Sequence, residues 1–200
     1  MSSDLQTGSL LKTLAAAKPA GAMLELGTGT GLSTAWILAG MDSRSTLRTV
    51  DNDDAVQSIA KRYLDQDARM TFHLMEGGDF LETIADERFD LIFADAWPGK
   101  YTHLEIALSL LNPGAFYIVD DLLPQLNWLP EHAPKVTTLI RTLENRSDLV
   151  ITKLSWSTGL IVAVKSVPTA RATGFHQCAT YTSPYALDRR GMMCYIQNVT

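Results

Sequence analysis

The sequence predicts an α/β fold, a doubly wound and mainly parallel seven-stranded sheet with an antiparallel edge strand, and two observations carry that prediction. Short apolar runs of strand type alternate with helical segments five times before a closing hairpin, an order that means a parallel sheet with helices on both faces. Several of the runs end in acidic residues or glycine, and ligands of such sheets sit beyond the carboxyl ends of the strands, where the winding direction reverses.

Leu5, Leu10, Leu11 and Leu14 recur at roughly helical spacing, so an N-terminal helix is expected over 4–17, stopped by Pro19 and Gly21. It would cover a sheet edge or a bound cofactor. Residues 22–26 read as the first strand, 27–31 as a tight glycine turn, and 32–39 as a helix entered at about Ser33. A second strand, 46–50, ends in Asp51, and a helix over 52–67, capped by Asn52 or Asp53, places Ala55, Ile59, Tyr63 and Leu64 on its inner face. Residues 70–75 form the third strand, followed by a turn at Glu76-Gly77-Gly78-Asp79-Phe80 and a short helix to Ala85. The continuous run 89–94 is the fourth strand, ending at Asp95. A helix over 101–111 is closed by Asn112-Pro113-Gly114, and the fifth strand, 115–119, ends at Asp120-Asp121. After a proline-rich loop, a helix over 135–143 and two strands, 149–154 and 160–164, complete the pattern as a hairpin. Residues 1–165 are expected to be one domain. Residues 166–200, with aromatic residues but no clear period, are an extension that would serve as an oligomer arm, a lid or a loosely ordered tail.

A chain of 200 residues with 46% apolar and 20% charged residues can bury one core. Its net charge of −5, without a Lys/Arg cluster, argues against a nucleic-acid surface. The apolar piece 10–17 is short and interrupted by Lys12, so neither a signal peptide nor a membrane span is expected. Cys178 and Cys194 both fall in the tail and make no disulfide framework, which points to reduced thiols in a cytoplasmic protein.

Three glycines in five residues let a ligand approach the backbone, and the helix that follows presents free N–H groups and a partial positive charge. Asp51, at the tip of the second strand, suits a ribose diol. These features describe a nucleoside cofactor. A dinucleotide fingerprint fails, since Leu32 or Thr34 stands where the last glycine of G-x-G-x-x-G is required. Glu25, two residues before the first glycine, repels a pyrophosphate and favours a cation. S-adenosylmethionine, with its sulfonium and ammonium, fits that demand. At the ends of the fourth and fifth strands, Asp95, Asp120 and Asp121 would converge if those strands are neighbours about 4.8 Å apart. Such carboxylates attract Mg²⁺ or another divalent cation, which would hold the oxygens of a substrate and lower the pKa of a bound hydroxyl.

Leu24-Glu25-Leu26-Gly27-Thr28-Gly29-Thr30-Gly31 resembles the first motif of class I S-adenosylmethionine-dependent methyltransferases, whose fold is Rossmann-like. The stretch 89–101 is similar to the fourth-strand motif of catechol-type and caffeoyl-CoA-type O-methyltransferases, and 112–121 to their fifth-strand motif. The resemblance spans about 22–165. It implies a cofactor site of Glu25, Gly27, Thr28, Gly29, Gly31, Ser33, Asp51, Gly78, Asp79 and Asp95, with Asp51 on the ribose, Gly78 and Asp79 beside the adenine and Ser33 at the methionine carboxylate. It also implies a metal site of Asp95, Asp120 and Asp121. Two departures stand out: Asp121 replaces the family's asparagine, and Pro98 stands where the family has its catalytic lysine. Lys100 would serve as base if the loop bends, or else pairs with Asp95. Asp95 and His103 are the other catalytic candidates, and Trp97, Trp128, Trp156, Asn127 and His132 are candidates for lining an acceptor pocket. The leading expectation is an O-methyltransferase acting on a small-molecule hydroxyl, with no nucleic-acid or membrane partner and a homodimer as one option. The alternatives are a nucleotide-binding oxidoreductase and a non-catalytic S-adenosylmethionine-binding protein.

Overall fold

A computed structural model describes residues 4–125, 128, 132–167, 185–187 and 193–195. Asn127, Cys178 and most of the tail lie outside the described residues. Helix α1 (Leu5–Ala16) starts at Asp4, whose carboxylate caps the Gln6 and Thr7 amides. Then follow β1 (Ala22–Leu26), α2 (Leu32–Gly40), β2 (Thr46–Asp51), α3 (Asp54–Leu64), β3 (Met70–Leu74), α4 (Gly77–Thr83) and β4 (Phe89–Ala94). The series closes with α5 (Leu104–Ser109), β5 (Leu111–Val119), α6 (His132–Glu144), β6 (Leu149–Leu154) and β7 (Leu160–Lys165). The seven strands form one sheet in the order β3-β2-β1-β4-β5-β7-β6. Apart from it, β8 (Tyr185–Leu187) and β9 (Met193–Tyr195) form a short antiparallel pair.

The predicted fold class is the observed one, with a difference at the closing hairpin. The antiparallel strand β7 lies one position in from the edge, between β5 and β6, and β6 is the edge strand. The short β6–β7 turn fixes the antiparallel pairing of these two strands, and it is β7 that pairs with β5.

Alternation along β4 shows how the sheet divides the interior. Leu91 and Phe93 face a layer with Leu11 and Ala15 of α1 and Ile37 and Leu38 of α2. Ile92 and Ala94 face the opposite layer, with Phe80 and Leu81 of α4, Ala107 of α5 and Leu139 of α6. A strand buried on both faces reads as the continuous apolar run seen in the sequence.

Two element readings are corrected. On α3, Gln57 and Ala60 are buried while Ala55, Ile59 and Tyr63 are exposed, Tyr63 at 74%. Ala60 packs under Gly31, so the helix presents its small-residue face to the glycine turn. Strand β5 begins at Leu111 and includes Asn112-Pro113-Gly114, which was expected to end a helix; α5 stops earlier, at Ser109. The register shift opposite Phe89 and Leu91 accommodates the proline, which has no amide to donate to the ladder.

Candidate active site

Register fixes which residues meet at the carboxyl edge. Leu26 lies opposite Val50 on one side and Ala94 on the other, and Ala94 lies opposite Val119. The next residue of each strand is therefore Gly27, Asp51, Asp95 or Asp120, a row across the point where the strand order turns from β1 toward β2 to β1 toward β4. The Gly27 amide donates to the Val50 carbonyl at 2.9 Å and the Asp95 amide to the Leu26 carbonyl at 2.9 Å, which ties the row together.

The turn after β1 takes its shape from glycine. Gly31 has φ +88°, and a β-carbon there would lie 2.7 Å from Cβ of Ala60, so a side chain is excluded twice over. Gly29 instead faces open space, and its amide donates to Asp51 Oδ2 at 2.8 Å. Asp51 thus holds the turn against the second strand as well as facing the cavity.

That cavity, of about 340 Å³, is lined by Gly27, Asp51, Glu76, Gly77, Asp95 and Trp97 among others. Three carboxylates and no basic side chain stand among its lining residues. Gly77 packs against the Pro98 ring, with room for a β-carbon only at 3.2 Å, so the turns after β3 and β4 meet over the site. Glu76 and Gly77 line the cavity, whereas Gly78 and Asp79, which the resemblance set beside the adenine, are not among its lining residues. Gly78 is buried against His103 and Asp79 is exposed, and Glu76 caps α4 by accepting from both of their amides while Gly77, the first residue of the helix, stays at the cavity.

Glu25, Thr28 and Ser33 lie beneath the turn rather than in the cavity. Glu25 is fully buried, and the Thr34 and Thr49 hydroxyls donate to its Oε2 at 2.5 and 2.6 Å. Thr28 joins Thr49 at 2.7 Å, and the Gln57 amide donates to Thr28 at 3.2 Å and to the His73 carbonyl at 2.9 Å. Burial outweighs the hydrogen bonds that Glu25 accepts and pushes its carboxyl up to about 7. Strand alternation explains the placement: Leu24 and Leu26 take the α4–α6 side and Glu25 the α2 side. Sequence reading missed this polar chain, although Gln57 among the inner residues of a helix was a visible signal for it.

On the acceptor side, the loop after β4 does bend. Gly99 takes φ +86°, its carbonyl accepts a bond from the buried Tyr117 hydroxyl, and the Lys100 amide closes a turn onto the Trp97 carbonyl at 3.0 Å. The turn carries Lys100 inward, where it is 4% exposed, with Nζ 3.6 Å from Asp95 Oδ1 and donating to the Asp120 carbonyl at 3.0 Å. Asp120 Oδ1 accepts from the Asp121 amide at 2.7 Å and from the Thr158 hydroxyl. Burial, offset in part by Lys100 and reinforced by Asp120 and Asp121, pushes the Asp95 carboxyl up to about 7. Among the described residues no group of three or more His, Cys, Asp or Glu side chains is arranged to hold a metal ion. The three expected ligands are accordingly a poor fit to a divalent cation, since a lysine ammonium already stands at Asp95 and Thr158 takes an oxygen of Asp120.

His103 does not join this cluster. It packs on Gly78 and lies 3.8 Å from Glu82 of α4. His132 instead receives or donates a bond with the Tyr101 hydroxyl at 3.0 Å and stacks on Trp128 with ring centroids 4.2 Å apart. Trp97 meets Tyr101 edge-on, and Lys135 Nζ lies 3.8 Å over the Trp97 ring. Tyr101 and Lys135 were not singled out in sequence; Trp156, which was, is absent from this cluster's ring contacts.

Residues 24–122 match the family model described as a methyltransferase domain. A provisionally named O-methyltransferase of Mycolicibacterium vanbaalenii is 35% identical over 117 residues, which are 56% of this chain and 52% of that protein. One of Mycolicibacterium smegmatis is 36% identical over 117 residues, 56% of each. The chain spans about half the length of the curated relatives it matches. Among solved structures, the O-methyltransferase of Bacillus cereus in complex with S-adenosylhomocysteine superposes with TM-score 0.73 at 22% identity, covering 82% of this chain and 83% of that one. A Streptomyces achromogenes O-methyltransferase involved in tomaymycin synthesis, bound to S-adenosylmethionine, gives 0.72 at 23% identity over 83% and 82%. No described helix is long and apolar enough to cross a membrane. From Leu24 to Leu122, through the glycine turn and the four strand ends around it, the chain is similar to the methyltransferase domains that this model describes.

Proposed function

We propose that this protein is an S-adenosylmethionine-dependent O-methyltransferase acting on a hydroxyl of a small molecule. The observation that carries the reading is the cavity at the glycine turn, lined by Asp51, Glu76 and Asp95 and by no basic residue. Such a site attracts a sulfonium and an ammonium and repels a pyrophosphate, which disfavours the oxidoreductase reading. Its volume of about 340 Å³ fits a small-molecule site. The solved relatives of Bacillus cereus and Streptomyces achromogenes, with their cofactors bound, support the same reading.

In this reading Asp51 accepts from the ribose hydroxyls, Glu76 and Gly77 border the adenine, and Gly27 and Gly29 let the ligand reach the backbone. The cofactor supplies an electrophilic methyl group. Bound S-adenosylmethionine would supply that group to an acceptor oxygen and would leave as the neutral thioether. Alignment supplies most of the rate. The acceptor's proton has Asp95 as its nearest candidate base, because a carboxyl pushed up to about 7 accepts a proton near neutral pH. Lys100 is a poor base where it stands, because its Nζ already donates to the Asp120 carbonyl and lies beside the Asp95 carboxylate.

Calorimetric titration tests the reading. S-adenosylhomocysteine is expected to bind one to one and NADH not at all; binding of NADH alone would favour the oxidoreductase. Asp51→Ala, which removes both the ribose acceptor and the anchor of the Gly29 amide, should weaken S-adenosylhomocysteine by roughly 10- to 100-fold, the worth of a charged hydrogen bond. Undiminished affinity in that variant would remove Asp51 from the site.

A further inference from the structure

We infer that Lys100 provides an internal cation in the place between the ends of β4 and β5 where a divalent metal would otherwise stand, and that this carboxylate cluster works without a metal ion. The inference rests on the cofactor reading above and concerns the acceptor side of the same site.

The argument begins with crowding. Asp95 and Asp120 follow directly on adjacent parallel strands, Asp120 is buried, and the charges of Asp120 and Asp121 both act on Asp95. Uncompensated anions so placed are costly, and a positive charge is required. The chain meets that need from its own sequence. Pro98 packs on Gly77 and takes no part in the cluster; Gly99, in the left-handed region, reverses the backbone; and the Tyr117 hydroxyl pins the reversed carbonyl. The lysine, two residues after the proline, is thereby brought to Asp95 and the Asp120 carbonyl.

Its ammonium faces Asp95 Oδ1 and bonds the Asp120 main-chain carbonyl, two oxygens of the kind a hard divalent ion would take. Oδ1 of the Asp120 carboxylate is bonded by the Thr158 hydroxyl and the Asp121 amide. At 4% exposure Lys100 has no surface position to which it can withdraw without opening the turn. One charge of +1 therefore sits where a +2 ion with open positions would be needed to chelate two substrate oxygens. An acceptor of this site gains nothing from adjacent hydroxyls.

The test uses Mn²⁺ as probe on the full chain. Electron paramagnetic resonance should show no stoichiometric Mn²⁺ bound at millimolar concentration, with or without S-adenosylhomocysteine. One tightly bound Mn²⁺ per chain, lost in Asp95→Asn, would overturn the inference, and this arm needs no Lys100 variant to fold. In the presence of a chelator, Lys100→Met should lower the thermal midpoint by roughly 10 °C, as loss of one partner of a buried pair does in a chain of this size. Millimolar Mn²⁺ should then raise the midpoint of Lys100→Met and leave that of the wild type unmoved. A variant as stable as the wild type, or one that Mn²⁺ does not rescue, would reduce Lys100 to an ordinary ion pair and overturn the inference. Titration of the wild type with S-adenosylhomocysteine in chelator separates the two ideas. Absent binding there removes the cofactor reading, whereas intact binding alongside a bound Mn²⁺ removes only the internal cation.

Discussion

Glu25 sits at zero exposure inside β1, with Oε2 bonded by two threonine hydroxyls and Oε1 without a partner among the described residues. Its residue type was legible in the motif, and its direction was not, because the choice between cavity and interior depends on which sheet face the pleat assigns to position 25. The consequence is a pH dependence. The folded carboxyl is raised to about 7 from its ordinary 4.5, so the folded state retains a proton that the unfolded chain has lost. Stability from this group is full below the unfolded value, falls as pH rises between the two values, and is level above. Glu25→Gln keeps the shape and never ionises. Its thermal stability relative to the wild type should be greater near pH 8 than near pH 5, by up to about 3 kcal/mol. An unchanged difference at the two pH values would show that Glu25 is ionised in the folded protein throughout that range.

Helix α1 was expected to cover a sheet edge or the cofactor, and it packs on α2 and, through Leu11 and Ala15, in the layer that Leu91 and Phe93 of β4 face. Gly8 lies directly against Trp36, and a β-carbon on Gly40 would run into the Lys12 carbonyl. Two glycines on facing helices let the backbones approach closely, a meaning that neither glycine carries when read along its own helix. Gly40→Ala should therefore cost about 1–3 kcal/mol, read as a lowered denaturation midpoint, although alanine is the better helix former. A more stable variant would show that the helices are free to separate. Helix α3 teaches the reverse lesson: Ala55, Ile59 and Tyr63 make an apolar stripe at helical spacing, but the close fit of Ala60 and Leu64 beneath Gly31 turns that stripe outward. Periodicity locates a helix and a face, and a neighbour's shape decides which face is covered.

Across the whole molecule, alternation of strand and helix made the sheet legible, and acids at successive strand ends made the site legible as a row. What remained out of reach was the path of the loops between those ends. The turn at Gly99 brings Lys100 onto Asp95, the start of α4 puts Gly77 rather than Asp79 at the cavity, and the start of α6 brings His132 to Tyr101. Each depends on contacts between segments far apart in sequence, while the strand order follows from local patterning and the right-handed crossover. The site is consequently a methyltransferase-like frame with its own acceptor side.

The most direct measurement is a crystal structure of the protein with S-adenosylhomocysteine. The account predicts the ribose hydroxyls on the Asp51 carboxylate, the adenine against Glu76 and Gly77, and the sulfur directed toward Asp95 and Trp97. A cofactor bound elsewhere, or a glycine turn that stays closed on Asp51 in saturating ligand, would contradict it.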